Sequence, residues 1–307
     1  MSVEQPSVSV CIATYRRPAK LALLLDDLAA QTRPPAQVVV VDNDAGQSAR
    51  PAIDRARGRG LPYVLQYATQ SEKNISLARN LSVRLARGDW LALIDDDERA
   101  GPQWLARLVD AAARYRADGV LGPVEPQLPA HAPGWILRGR FYEWARFRSG
   151  TPVPPNRLRL GNALLSATAL RGLHGPFDPA YGLTGGEDGD LLSRLVRDGA
   201  RIVWCDEATV QEPVDDARLS LRWLLRRALR GGQDFARHTL AGRYGPATPR
   251  RRLAFTVRAA AQLLAAGALT IVSVPFGRHR AARWLLAASA NFGKLTQLLG
   301  LHYREYA

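Results

Sequence analysis

Four consecutive acidic residues, Asp95-Asp96-Asp97-Glu98, follow directly on the apolar run Trp90-Leu91-Ala92-Leu93-Ile94. An apolar run this short, entered from Gly88-Asp89, has the length of a buried strand, so the carboxylates emerge together at its carboxyl end. That edge is where open α/β sheets bind ligands. Adjacent like charges repel, and a hard divalent cation such as Mg²⁺ or Mn²⁺ relieves the repulsion. Such an ion takes one or two carboxylates plus substrate phosphates and keeps several waters. The plainer alternative is a solvated acidic turn that caps a helix expected near Pro102.

A second acidic pair, Glu187-Asp188, follows Gly185-Gly186 and opens a helical pattern that runs to Arg197 and stops at Gly199. The amino-terminal helix dipole favours ionised carboxylates there, either as caps or with one serving as general base for a hydroxyl nucleophile. Asp42-Asn43-Asp44 ends another apolar run. These residues could accept hydrogen bonds from a base N–H or a ribose hydroxyl, or simply form a turn. Arg79 and Asn80 fall in the first turns of a helix facing the same edge. Arginine suits a diphosphate, although a surface arginine is the commoner case in a chain with 39 of them. The first turn, Ala13-Thr14-Tyr15-Arg16-Arg17-Pro18, lacks both the glycine pattern of dinucleotide sites and the Gly-Lys-Ser/Thr of a P-loop.

The elements that must position these groups alternate along the chain. Residues 8–13, 37–41 and 63–66 read as strands, and Pro18 opens a helix with Leu21, Leu24, Leu25 and Leu28 on its apolar face. A helix with Ser76 as N-cap leads to Gly88 and the strand before the acidic run. Residues 123–160 are rich in Pro and aromatics and read as a long excursion. Strands over 158–166 and 201–205 follow it. The pattern predicts an α/β fold with a mainly parallel, doubly wound sheet.

Charge divides the chain. Residues 1–216 carry 26 Lys plus Arg against 26 Asp plus Glu, whereas the last 91 residues carry 16 against 2, which accounts for the whole net charge of +14. The expected domains are therefore 1–216, which holds the acidic clusters, and 217–307, a basic and apolar helical region. Residues 253–276 are dominated by Ala, Leu, Val and Ile between arginine clusters, the pattern of a helix in a membrane interface. A spanning helix and a packed core helix are the other two placements. Stacking aromatics are too few for a nucleic-acid partner. Residues 1–6 show no secretion signal, which predicts a cytoplasmic protein, peripheral or monotopic at the inner membrane face. Cys11 and Cys205, each in a strand-like run, are expected as buried free thiols.

Taken in order, Val8-Ser9-Val10-Cys11-Ile12-Ala13-Thr14-Tyr15-Arg16-Arg17-Pro18, Val40-Val41-Asp42-Asn43-Asp44, Ala78-Arg79-Asn80, Asp95-Asp96-Asp97 and Gly186-Glu187-Asp188-Gly189-Asp190-Leu191 resemble the motifs of glycosyltransferase family 2. The resemblance spans residues 6–215. Arg226-Arg227-Ala228-Leu229-Arg230-Gly231-Gly232 resembles members that assemble bacterial exopolysaccharides such as succinoglycan.

The resemblance implies a GT-A fold and inverting, metal-dependent transfer from a nucleotide sugar to a lipid-linked oligosaccharide or glycan. It places Thr14, Asp42, Arg79 and, more weakly, Asp44 at the nucleoside, and Asp95 at the ribose or base. Asp97 would hold Mg²⁺ or Mn²⁺, and Asp188 would be the base with Glu187 beside it. Glu212 stands where members often carry a metal-binding histidine. Leu219 replaces the glutamine of the Gln-x-x-Arg-Trp of processive synthases, ahead of Arg222-Trp223, so one sugar per encounter is expected. Arg227 and Arg230 are candidates for the leaving diphosphate or an acceptor pyrophosphate. Two alternatives stand beside this reading: a nucleotidyltransferase, and a membrane-bound scaffold that keeps the fold without the chemistry.

Overall fold

The computed structural model describes residues 6–173, 175–301 and 303. Residues 1–5, on which the expectation about a leader rests, lie outside them. The described residues divide into two compact units: 6–125 with 144–212, and 126–143 with 213–303.

The first unit holds a seven-stranded sheet. In chain order its strands are β1 (Val8–Thr14), β2 (Gln37–Asp42), β3 (Val64–Thr69), β4 (Trp90–Ile94), β6 (Gly119–Leu121), β8 (Asn162–Ser166) and β9 (Ile202–Trp204). The spatial order is β3-β2-β1-β4-β8-β6-β9. Every pair is parallel except those made by β8, which runs against both β4 and β6. The short strand β5 (Arg99–Ala100) pairs antiparallel with β10 (Val210–Pro213), while β7 (Val124–Gln127) carries the chain out of the unit.

Both faces of the sheet are covered, which is why its strands are continuous apolar runs. On one face Val10, Ile12, Val38 and Val40 meet helices α1 (Pro18–Ala29), α2 (Arg50–Arg57) and α4 (Trp104–Tyr115). On the other, α3 (Ile75–Leu85), α6 (Ala167–Arg171) and α7 (Glu187–Arg197) pack on Val39, Leu91, Leu93 and Leu165. Cys11 and Cys205 are both free and buried, as expected, and burial pushes their thiols up to about 12 and about 11.

Some local expectations shift. The N-cap of α3 is Asn74, not Ser76: the Asn74 side chain accepts from the Leu77 amide at 3.1 Å, and Ser76 is already inside the helix and fully buried. The third strand runs three residues beyond the expected 63–66, to Thr69, because pairing with β2 rather than hydrophobicity sets its length. Residues 158–161 fall outside β8, after a 3₁₀ turn at Pro155–Arg157 that prolines favour.

The second unit is helical, with α5 (Gly134–Gly139), α8 (Leu221–Leu240), α9 (Pro249–Ser273) and α10 (Arg278–Leu298). Ser220 and Thr248 cap α8 and α9 by accepting backbone amides. Trp135, Ile136 and Tyr142 from the 126–143 segment form its core with Val214, Leu224 and Ala282. The middle of the aromatic excursion, residues 126–143, thus groups with the basic unit, whose C-terminal stretch starts at Pro213.

Candidate active site

The acidic run sits at the carboxyl end of β4, as its sequence placement required. Its four carboxylates have separate fates. Asp96 accepts from Thr14 Oγ1 at 2.7 Å and from Arg17 Nη1 at 3.0 Å. The same Arg17 nitrogen lies 3.0 Å from Asp97, with Lys20 Nζ 4.0 Å away. Asp95 pairs with Arg79 at 2.9 Å. Glu98, 3% exposed, accepts from the Asp95 amide at 3.1 Å. Part of the repulsion is therefore relieved by the protein's own cations, a role that belongs to Arg17 and was missed in the sequence.

What is left uncompensated is buried. Burial first, then the charge of Asp97, raises Asp96 to about 6 despite Arg17. Glu98 is pushed well above its usual range by burial and by Asp95, Glu212 and Asp97. Glycine at 161 permits this packing, since a Cβ there would stand 2.8 Å from Glu98 Oε1.

Opposite Asp95 stands the second acidic pair. Gly185 and Gly186 both adopt left-handed backbone, with φ of 81° and 94°. Only glycine takes that conformation without strain, and it turns the chain into α7 so that Glu187 and Asp188 occupy the helix's first turn. Arg79 spans the gap: Nη1 is 2.7 Å from Glu187 Oε1 while Nη2 holds Asp95. Glu187 is 4% exposed, and its Oε2 is buried with no hydrogen-bond partner. Burial, together with Asp188 and Asp95, raises Glu187 to about 7 against the pull of Arg79. Asp188 is more open. Its carboxylate accepts from the Gly189 amide at 2.7 Å and the Leu160 amide at 3.4 Å.

Asp42 is less available than its position at the end of β2 suggested. It is fully buried, and it accepts from the amides of Asp44 and Ala49 and from the Tyr67 hydroxyl at 2.8–3.1 Å. Asp44 pairs with Arg16 at 3.3 Å. Asn43 binds the carbonyls of Gln70 and Glu72 and orients Asn74. This short acidic motif thus organises the loops around the sheet edge. Arg227 and Arg230 lie on α8 in the second unit, where Arg227 stacks over Tyr142 and Trp223 at 5.7 and 5.3 Å.

Oxygen donors suit a hard divalent ion. Among the described residues no three His, Cys, Asp or Glu side chains converge as a ready-made ligand set, and Asp97 is engaged with Arg17. The residues fit the mode in which one or two carboxylates share the ion with substrate phosphates. Asp97 and Glu212, the side chains expected to hold it, both act electrostatically on the carboxyls of Asp95 and Glu98.

The sequence model of glycosyl transferase family 2 matches residues 9–149. The succinoglycan biosynthesis protein ExoM of Rhizobium meliloti (strain 1021) is 37% identical over 247 residues, 77% of this chain and 76% of that protein. The chain belongs to glycosyltransferase family 2. The galactofuranosyltransferase GlfT1 of Mycobacterium tuberculosis is 31% identical over 221 residues, 67% of this chain and 70% of its own.

Among solved structures, the mannosyltransferase PcManGT from Pyrobaculum calidifontis, in complex with GDP-Man and Mn²⁺, has a TM-score of 0.67 at 19% identity, covering 97% of this chain and 88% of that one. S. aureus TarS residues 1–349 in complex with UDP has a TM-score of 0.53 at 16% identity, covering 97% and 93%. The family 2 glycosyltransferase described here therefore has the GT-A fold. Its membership sets aside the nucleotidyltransferase and takes the ground from the non-catalytic scaffold.

Proposed function

We propose that the protein is an inverting glycosyltransferase that moves one sugar from a nucleotide-sugar donor, most consistently a UDP-sugar, to a lipid-linked or glycan acceptor in exopolysaccharide or cell-envelope synthesis. The observation that carries this reading is the Asp95–Arg79–Glu187 bridge, which ties the donor-side carboxylate after β4 to the acidic start of α7. The likeness to a succinoglycan protein supports the exopolysaccharide class, and the UDP and GDP-Man complexes of the structural relatives support a nucleotide-sugar donor.

In the chemistry proposed, the more open Asp188 takes the proton of the acceptor hydroxyl as that oxygen attacks the anomeric carbon. The bond from that carbon to the phosphate oxygen breaks on the opposite face, and the nucleoside diphosphate departs. Arg79 fixes Glu187, and with it the first turn of α7, so that Asp188 is held rather than left to find its pose. Mg²⁺ or Mn²⁺ at Asp97 and Glu212 would supply neutralisation of the departing diphosphate. Thr14, Asp42 and Asp44 shape the nucleoside side through the loops they hold. Arg227 and Arg230 offer charge to a diphosphate. The basic second unit keeps the enzyme at the cytoplasmic face of an anionic membrane, which raises the local concentration of a lipid-borne acceptor.

Calorimetric titration with UDP and GDP, with Mn²⁺ or chelator, on wild type and Asp97→Ala tests the donor site. Metal-dependent binding of one nucleotide that the substitution weakens is expected. Binding that is indifferent to both metal and Asp97 would remove the metal assignment.

A further inference from the structure

Helix α9 is built inside out. The residues it turns toward its own unit are mostly small or hydroxylated, Thr256, Ala259, Ala266, Thr270 and Ser273 at helical spacing, with Ala259 and Ala266 only 1% and 3% exposed; Phe255, which packs on Phe235 of α8, and the half-buried Leu263 are the large side chains among them. The threonine hydroxyls are satisfied inside the helix, donating to the carbonyls of Arg252 and Ala266. The outward face of α9 and of the 3₁₀ turn that ends it carries Leu253, Val257, Leu264, Ile271, Val272 and Phe276, each 59–75% exposed, with exposed Arg258 and Gln262 at its margin. A water-facing helix has the opposite arrangement, and an apolar strip of this length marks a contact with something apolar.

The charges around the strip say what that is. Arg250, Arg251 and Arg252 precede it, and Arg278, Arg280 and Arg283 follow it. Two copies pressed face to face would bring these clusters together in either orientation, which like charge opposes. An anionic bilayer offers acyl chains to the strip and phosphates to both clusters.

The segment Pro249–Phe276 is long and apolar enough to cross a membrane. Its packing argues against crossing. A 3₁₀ turn at Val274–Phe276 folds α10 back along α9, and α10 also packs on α8. To cross, α9 would have to carry Arg278, Arg280 and Arg283 through hydrocarbon and bring Asn291 and Lys294 of α10 into it.

We propose that α9 lies in the plane of one leaflet of an anionic bilayer, apolar strip inserted, with both of its ends on the same side: a monotopic anchor, not a span. This deepens the membrane association proposed above and rests on it.

The test uses the full chain on closed vesicles of phosphatidylcholine with phosphatidylglycerol. Variants that each add one cysteine, Arg250→Cys and His279→Cys, are treated from outside with a membrane-impermeant maleimide; the buried native thiols give little background. Both sites are expected to label without detergent, and one that labels only after detergent would establish a span and overturn the proposal. In parallel, the exposed double substitution Leu264→Asp with Ile271→Asp should lower vesicle binding about tenfold or more while nucleotide binding is unchanged. Undiminished vesicle binding by that variant, or a wild type that ignores vesicles and sediments as a dimer, would equally overturn it. Loss of nucleotide binding in a protein that still binds vesicles would strike the donor reading and leave the anchor standing.

Discussion

At the carboxyl edge of the sheet, Asp96, Asp97, Glu98 and Glu187 are 3–7% exposed, among arginines and backbone amides; along α9, Leu264 and Ile271 are each 75% exposed. Ionisable groups sit where apolar ones are the rule, and apolar groups sit where charge is the rule. Each departure has a local cost: desolvation in the first region, exposed hydrocarbon in the second. Under the function proposed above, the partner that would offset each cost is a diphosphate with its cation in one case and lipid in the other. The comparison teaches that each region is unlike an ordinary solvated surface in its own way, and on the proposed function each is expected to be open to damage without the other.

The largest expected effect separates them by activity. Asp188→Asn should lower turnover by about 10²–10⁴-fold, the usual worth of a general base, while nucleotide and vesicle binding persist. Steady-state transfer measured beside vesicle sedimentation checks this, and a variant that loses both functions together would break the comparison.

A smaller effect concerns stability. Arg79→Ala strands Glu187, whose side chain is 5% exposed, without its cation. Breaking a buried pair from one side costs about 3–5 kcal/mol, to be read from urea unfolding of the first unit's transition. A loss below about 1 kcal/mol would mean that water reaches the bridge and that the region is less buried than its geometry states.

The smallest sharpens the electrostatics. Glu187 is raised from 4.5 to about 7, so between those values the folded chain holds a proton that the unfolded chain has released. Its contribution to stability therefore falls as pH rises through that window, by at most about 1.4 kcal/mol per pH unit. Unfolding followed across the window should show a shallower decline for Glu187→Gln than for wild type. An unchanged slope would assign the titration to other carboxylates, Asp96 among them.

The sheet was legible because strands covered on both faces must be apolar throughout, as Val38-Val39-Val40-Val41 is. The antiparallel direction of β8 was not, since nothing in Asn162-Ala163-Leu164-Leu165 distinguishes a strand running either way. At the site, the two acidic clusters were found from their positions after a strand and after Gly-Gly. Their pairing through Arg79 was hidden by a separation of 108 residues between Arg79 and Glu187. Arg17 carried a weak signal, a basic residue in the turn after β1 facing an acidic edge, but its neighbour Arg16 carries the same one. The α3 cap was misplaced because Asn74 and Ser76 are both good caps. The choice fell to Asn43, which fixes the Asn74 backbone.

Residues 126–143 leave the first unit at Glu125 and return at Trp144, yet the partners of Trp135, Ile136 and Tyr142 include Val214, Leu224 and Ala282. On the ribosome, then, the first unit has its whole sequence once residue 212 has emerged, while an aromatic loop at its middle waits some seventy residues longer for helices α8 and α10. A chain trimmed to its apparent catalytic half would wear that loop permanently as a sticky flag to chaperones and proteases. The shorter fragment is for this reason expected to be the harder one to express.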